Sequence, residues 1–127
     1  MSAAVPPWLI AAIGELGVVE TPGPGDNPRV VEYHATTTLK ATDDEVSWCS
    51  SFVNWCMKQA GVKGTDSAAA RSWLLWGMKL GAPKLGCVVG LSRGTNPAQG
   101  HVGFYLDKSV TGGVYIVNGN VGDRVAV

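Results

Sequence analysis

The chain has 127 residues, of which 46% are hydrophobic, a length and composition that suit one folded domain spanning residues 1–127. Ten Lys and Arg residues balance ten Asp and Glu residues, so no net charge attracts nucleic acid or an anionic membrane surface. Five Trp residues and regularly spaced apolar residues exclude a disordered chain. We therefore expect a monomeric domain with no nucleic-acid partner.

The amino terminus lacks the pattern of a targeting or membrane segment. No Lys or Arg precedes Arg29, whereas a secretory signal begins with basic residues. The longest apolar stretch, residues 3–13, is shorter than the ~20 residues that span a bilayer and is broken by Pro6 and Pro7. We therefore predict a protein made in the cytoplasm without a signal peptide or transmembrane segment.

The three cysteines are expected to be reduced. Cys49 and Cys56 lie seven positions apart, which is about 10 Å along a helix and exceeds the ~7 Å limit for a disulfide. Reduced thiols agree with a protein made and stored in the cytoplasm.

Helical patterns occupy the first part of the chain. Apolar residues from Trp8 to Leu16 recur at helical spacing after two prolines and before Gly17, which predicts an amphipathic helix. The segments that follow are a turn-rich loop over 21–28, a short segment near 29–34, a central helix over 48–60 capped by Ser47 and stopped by Gly61, and a helix over about 67–76. The spacing of apolar residues in the central helix predicts one buried face.

After residue 83 the sequence pattern changes from one typical of helices to one typical of β-strands. Short runs rich in Val, Ile, Phe and Tyr alternate with glycine turns over 87–91, 102–106 and 114–117. Helices followed by antiparallel strands predict an α+β fold with helices packed on one sheet.

Cys49 lies in the first turn of the predicted central helix. Backbone amides and the positive end of the helix dipole favour a thiolate there, as a nucleophile requires. Alternatively, Cys49 only begins the buried stripe of the helix, since free cysteine is commonly buried. Cys56 in the middle of that stripe and Cys87 in a strand are predicted to be structural.

His101 lies in a predicted strand, where it alternates with Val102, Phe104 and Leu106 and so points away from the apolar face. A lone strand histidine is commonly a surface or core residue, but Gly103 on the same face lets another element approach closely. His34 lies in a polar stretch, and we expect it to be solvated.

Two asparagines, Asn118 and Asn120, extend from one face of the last predicted strand. Either amide oxygen can orient an imidazole, although the same residues also suit a turn that ends the strand. Residues 107–113 can close a hairpin between this strand and that of His101. The register that would choose between the two asparagines is not readable from the sequence.

The order Cys, His, Asn resembles the papain-like peptidoglycan hydrolases of the CHAP (cysteine, histidine-dependent amidohydrolase/peptidase) and NlpC-like superfamily. The segments that carry the resemblance are 47–55, 100–105 and 118–120. Four further segments, 8–10, 15–20, 72–77 and 86–94, resemble a small branch found in phages and prophages.

The resemblance implies a papain-like fold in which Cys49 is the nucleophile, His101 the general base and Asn120, in preference to Asn118, the residue that orients the base. It implies no cofactor. Some relatives have a calcium loop of spaced acids ahead of the cysteine, but the acids at 43–45 lack that spacing, so we expect no metal site. Relatives often carry Asp where Cys87 stands. They also extend further beyond Asn120, which leaves open whether a terminal strand is missing.

The expected activity is hydrolysis of an amide bond in bacterial peptidoglycan, with Trp48 and Tyr105 lining a groove for the substrate. The expected role is that of a phage endolysin that acts in the periplasm or cell wall after release. The alternatives are a secreted antibacterial amidase toxin and a non-catalytic module for wall binding or phage structure. The sequence does not distinguish the muramoyl-L-alanine amide from a bond within the stem peptide.

Overall fold

A computed structural model of the chain describes residues 5–19, 28–37, 48–67, 72–73, 76–77, 84–92, 100–121 and 124–127, without the side chains of residues 91, 92 and 120. Its helices and strands are α1 (Pro7–Gly14), α2 (Pro28–His34), α3 (Cys49–Gln59), β1 (Val88–Ser92), β2 (Gly100–Lys108), β3 (Val114–Val121) and β4 (Arg124–Ala126). In this part of the chain the helices precede an antiparallel sheet of order β1-β2-β3-β4, which confirms the predicted α+β fold. The described helices are too short to cross a membrane.

The first helix begins as predicted but ends earlier. Pro7 occupies its first turn, where a missing N–H costs nothing, and the chain leaves the helix at Gly14. Ile13 and Leu16, which the pattern assigned to the apolar stripe, are each 44% exposed. Gly17 adopts a φ of +95°, and its N–H donates to the Val125 carbonyl at 3.0 Å. The turn at Gly17 therefore directs the chain along β4.

The central helix α3 is buried on all sides over its first nine residues, from Cys49 to Met57. It packs against α1, α2, β2 and β3. The prediction of one buried face was therefore too narrow, because helices cover one side of α3 and the sheet covers another. The polar residues on it are compatible with burial because they are hydrogen-bonded, as with Asn54, whose Nδ2 donates to the Ser50 carbonyl at 3.2 Å.

The sheet differs from ideal alternation at two bulges. One interrupts the β2–β3 pairing between Tyr105 and Asp107, and the other interrupts the β3–β4 pairing between Asn118 and Val121. The expected hairpin joins β2 to β3 through residues 109–113. The sequence did not predict β4, which is only three residues long and carries no run of apolar residues typical of a strand.

One further prediction is described only in part, and another is wrong. Ser67 is not helical, and of the predicted helix over 67–76 the structure describes only a single 3₁₀ turn at Ser72 and Trp73 and the pair 76–77. His34 is fully buried rather than solvated, and its Nδ1 is hydrogen-bonded to Ser51 Oγ at 2.8 Å. Helix α2 turns His34 inward onto α3, which its polar sequence neighbours do not reveal. The loop over residues 21–27, Ser47 and the acids at 43–45 lie outside the described residues.

Candidate active site

Cys49 is the first residue of α3 and is 4% exposed. The residue before it, Trp48, occupies the N-cap position, and its carbonyl accepts the first helical hydrogen bond from the Phe52 N–H at 2.9 Å. An indole has no acceptor with which to cap the helix, and the first N–H groups of any helix have no intrahelical acceptor. The thiol therefore lies at the electropositive end of a buried helix. None of the three cysteines, all of which lie within the described residues, forms a disulfide.

The first turn of α3 lies directly against β3. A Cβ placed on Gly119 would be 2.8 Å from Phe52 Cβ and 2.9 Å from the Trp48 ring. Only glycine permits this approach, because real side chains do not come so close. Cys49 lies in the same helical turn as Trp48 and Phe52, so this contact brings the cysteine-bearing turn beside the segment of β3 that contains Asn118.

The sequence led us to expect Trp48 in an open substrate groove, but the structure does not place it in one. It is fully buried, and its ring stacks on Tyr33 with 5.7 Å between centroids and 29° between planes. Its position at the start of α3 turns it into the core between α2 and β3. Trp48 thus packs in the core at the start of α3 and is not available to contact a glycopeptide.

The structure brings His101 and Asn118 together. His101 Nε2 is hydrogen-bonded to Asn118 Oδ1, and the two residues are 8% and 4% exposed. The amide nitrogen of Asn118 donates to two backbone carbonyls, those of Ile116 at 3.1 Å and Ala126 at 2.9 Å. Every polar atom of the Asn118 side chain is thus engaged, which fixes the orientation of the amide.

Asn120 lies within the irregular segment of β3 between Asn118 and Val121. The expectation that both asparagines share a face assumes strict alternation, which a bulge interrupts. The Asn120 side chain itself lies outside the described atoms, so the structure describes a contact to His101 for Asn118 alone of the two.

Gly103 explains how β2 and β3 come close enough for this contact. A Cβ on Gly103 would lie 2.7 Å from Asn118 Cβ and 2.8 Å from the Val117 carbonyl oxygen. The sequence analysis predicted that Gly103 admits a neighbouring element closely, and the structure confirms this.

Tyr105 and the remaining cysteines lie apart from this contact. Tyr105 is partly exposed and alternates with His101 and Gly103 along β2 ahead of the bulge, so it shares their face. Its N–H donates to the Cys87 carbonyl at 2.9 Å. Cys56 is fully buried, and burial, followed by the charge of Glu15, raises the pKa of its thiol well above the usual range. Cys56 is therefore an inert core residue, as predicted.

Sequence reasoning missed a polar network that holds the start of α3. Ser50 Oγ donates to the Ser67 carbonyl at 2.6 Å and accepts the Trp73 indole N–H at 2.9 Å. On the next residue, Ser51 Oγ is hydrogen-bonded to the buried His34. Consecutive serines in a helical pattern gave no sign of these partners, which are 17 to 23 positions away in the chain.

An open cavity of about 400 Å³ lies elsewhere, near the C-terminal end of α3. It is lined by Lys58 and the following segment, 61–64, together with Thr36 and Asp66. Its lining on α3 is Asn54 and Lys58, which follow Cys49 in the helix by five and nine positions, and neither Cys49 nor His101 lines it. We assign it no part in the chemistry of the site.

A comparison with known protein families matches the part of the chain that contains the candidate active site. The model of the CHAP domain matches residues 41–120, which is more than half of the chain and includes Cys49, His101 and Asn118. No curated protein and no solved structure matches the chain. On the strength of the family match, the chain belongs to the CHAP-domain family.

Proposed function

We propose that the protein is a cysteine peptidase or amidase that hydrolyses an amide bond in peptidoglycan, with Cys49 as nucleophile and His101 as general base. Membership of the CHAP family gives peptidoglycan hydrolysis as the general class of activity. The individual residues and the kind of bond are our proposal. Peptidoglycan is the only partner that it requires, and the protein acts as a monomer without a cofactor.

In the proposed reaction the Cys49 thiolate attacks the amide carbonyl carbon, and the electron pair of the C=O bond moves to oxygen. Backbone N–H groups at the start of α3 stabilise this oxyanion. The intermediate collapses as the C–N bond breaks, and the imidazolium of His101 gives its proton to the leaving amine. A water molecule deprotonated by His101 then attacks the thioester carbon. The C–S bond breaks, the acid is released, and the sulfur of Cys49 regains its proton from the imidazolium.

The observation that carries the proposal is the hydrogen bond between His101 and Asn118 in the segment of β3 on which the first turn of α3 rests. A histidine held by an amide oxygen beside a helix that begins with cysteine is the arrangement that cysteine acyl transfer needs. The hydrogen bond supports Asn118 in the orienting role, where the family resemblance favoured Asn120.

Tyr105 is the remaining candidate for contact with the substrate. It is partly exposed on the strand face that carries His101, and its ring provides an apolar surface with a polar tip. With Trp48 buried, we propose that Tyr105 alone of the two contributes to the substrate groove.

The experiment that tests the function compares Cys49→Ala with Cys87→Ala in turbidity clearing of purified cell walls. Cys49→Ala is expected to abolish clearing with an unchanged circular dichroism spectrum, whereas Cys87→Ala, a matched change outside the site, is expected to clear normally. Clearing by Cys49→Ala at the normal rate would eliminate the nucleophile. Mass spectrometry of the released fragments identifies the bond that is cut.

We further propose that the physiological role is that of a phage endolysin released from the cytoplasm. The support is the resemblance of four sequence segments to a phage and prophage branch of the superfamily. We expect a culture that produces the protein to lyse only when a membrane-permeabilising protein is produced with it. A secreted toxin would instead be encoded beside a secretion system and an immunity protein that abolishes its activity, and a binding or structural module would not clear walls.

A further inference from the structure

The hydrogen bonds of the Asn118 amide determine whether its oxygen or its nitrogen faces His101. Its Nδ2 donates both N–H groups to backbone carbonyls, those of Ile116 and Ala126, at 3.1 and 2.9 Å. If the amide rotated by half a turn, its oxygen would face two carbonyl oxygens in a buried site, and neither of these can donate a hydrogen bond to it. The oxygen is therefore kept towards the imidazole.

We propose that Ala126 of β4 is a positioning residue for catalysis: its carbonyl orients the Asn118 amide and thereby selects the tautomer of His101. An amide oxygen can only accept, so the ring nitrogen facing it, Nε2, must carry the proton. In the neutral ring Nδ1 is then unprotonated and is the nitrogen that accepts a proton from a thiol. This inference rests on the proposed function, because it assigns the proton acceptor of that reaction.

The structure holds Ala126 in place from both sides of β4. On one side Ala126 pairs with Asn118 of β3. On the other side Val125, which is 1% exposed, exchanges hydrogen bonds with the segment after α1: its N–H donates to the Val18 carbonyl at 2.8 Å, and its carbonyl accepts from Gly17 at 3.0 Å. The support thus comes from residues 17–18 and 124–126, which lie outside the 41–120 span matched by the family.

Two shortened chains separate the carbonyl of Ala126 from the packing of β4. A chain that ends at Ala126 loses only the exposed Val127 and keeps an oxygen acceptor at residue 126, as a carboxylate. A chain that ends at Val125 retains the buried valine but leaves the Asn118 amide with the Ile116 carbonyl and without its acceptor at residue 126. We expect normal kcat for the first and a fall of roughly 3- to 10-fold for the second, the effect of one hydrogen bond.

The tautomer is measured without any substrate, from the ¹⁵N chemical shifts of the histidine ring nitrogens near neutral pH, with His101→Ala to assign the signals. We expect the Nε2–H form in the full chain and in the chain ending at Ala126, and a mixture of tautomers in the chain ending at Val125. Equal tautomer populations in all three would overturn the proposal. The chemical shifts are measured without turnover. They therefore test the effect of Ala126 on the His101 tautomer even if the protein does not hydrolyse walls and the proposed function is wrong.

A second variant covers the case in which the shorter chain does not fold. Asn118→Asp keeps an acceptor for Nε2 but cannot donate to the carbonyls of Ile116 and Ala126. Both carbonyls repel its oxygens, so we expect the side chain and the imidazole that it contacts to be displaced, with a lower kcat although a carboxylate also accepts from Nε2–H. Wild-type kcat would show that the two carbonyls do not position the residue.

Discussion

Gly119→Ala tests the contact on which the candidate site depends. The added methyl group would lie 2.8 Å from Phe52 Cβ and 2.9 Å from the Trp48 ring, whereas ordinary van der Waals contact begins at 3.4 Å. Both neighbours are fully buried, and neither a Cβ nor an indole ring is the far end of a flexible side chain, so α3 and β3 must separate by about half an ångström. Overpacking of this kind costs about 1–3 kcal/mol, which lowers Tm by roughly 4–11 °C in a domain of this length.

The same separation moves the cysteine-bearing turn of α3 away from β3, so activity should fall as well. A misplacement of about 1 Å can cost roughly 100-fold in rate, and we expect about a tenfold fall in kcat for half that distance. Thermal unfolding by circular dichroism gives Tm, and wall clearing well below Tm gives the rate. Gly14→Ala is the control, since among the described residues no atom outside its chain neighbours and its own helix backbone lies within 4 Å of the added methyl group. Gly119→Ala with normal Tm and normal rate would refute the packing argument.

Cys56→Ala is expected to lower the free energy of unfolding by about 1 kcal/mol without loss of activity, because it truncates a fully buried side chain; an inactive but fully stable variant would instead mark Cys56 as the nucleophile. In the folded protein Cys56 should resist iodoacetamide at pH 8.5 and react after addition of urea, as measured by peptide mass spectrometry, because burial raises the pKa of its thiol. Burial also raises the pKa of Tyr33 in the folded state. The unfolded chain therefore releases these protons first, and stability should fall as pH rises above the ordinary values of 9.0 and 10.0; a Tm that stays constant from pH 8 to 11 would contradict this. Asn54→Ala should cost about 2–3 kcal/mol, since it leaves the Asp66 N–H without its Asn54 Oδ1 acceptor, which lies 3.0 Å away; an unchanged urea midpoint would show that the segment after α3 is held by other contacts.

The amino-acid sequence by itself determined the elements that depend on near neighbours. The i, i+3, i+4 spacing predicted α3 to within one residue at each end, because helical hydrogen bonds and side-chain neighbours are local in the chain. Alternation and glycine turns located β1, β2 and β3, and the glycine at 103 signalled a close approach. The same local reasoning put Cys49 at a helix start and His101 in a strand, which is enough to nominate both for chemistry.

Tertiary structure alone decided which residues meet. His34 looked solvated in the sequence and Trp48 looked available to a substrate, yet both are fully buried, because burial depends on elements that are distant in the chain. The contact of His101 with Asn118 depends on the pairing register of β2 and β3, which local sequence does not specify. The short strand β4 forms only because β3 and the segment after α1 supply its hydrogen bonds. A strand of three residues is too short to show a recognisable alternation of apolar and polar residues. Its partners lie up to about 100 residues earlier in the chain, so local sequence does not predict the pairing.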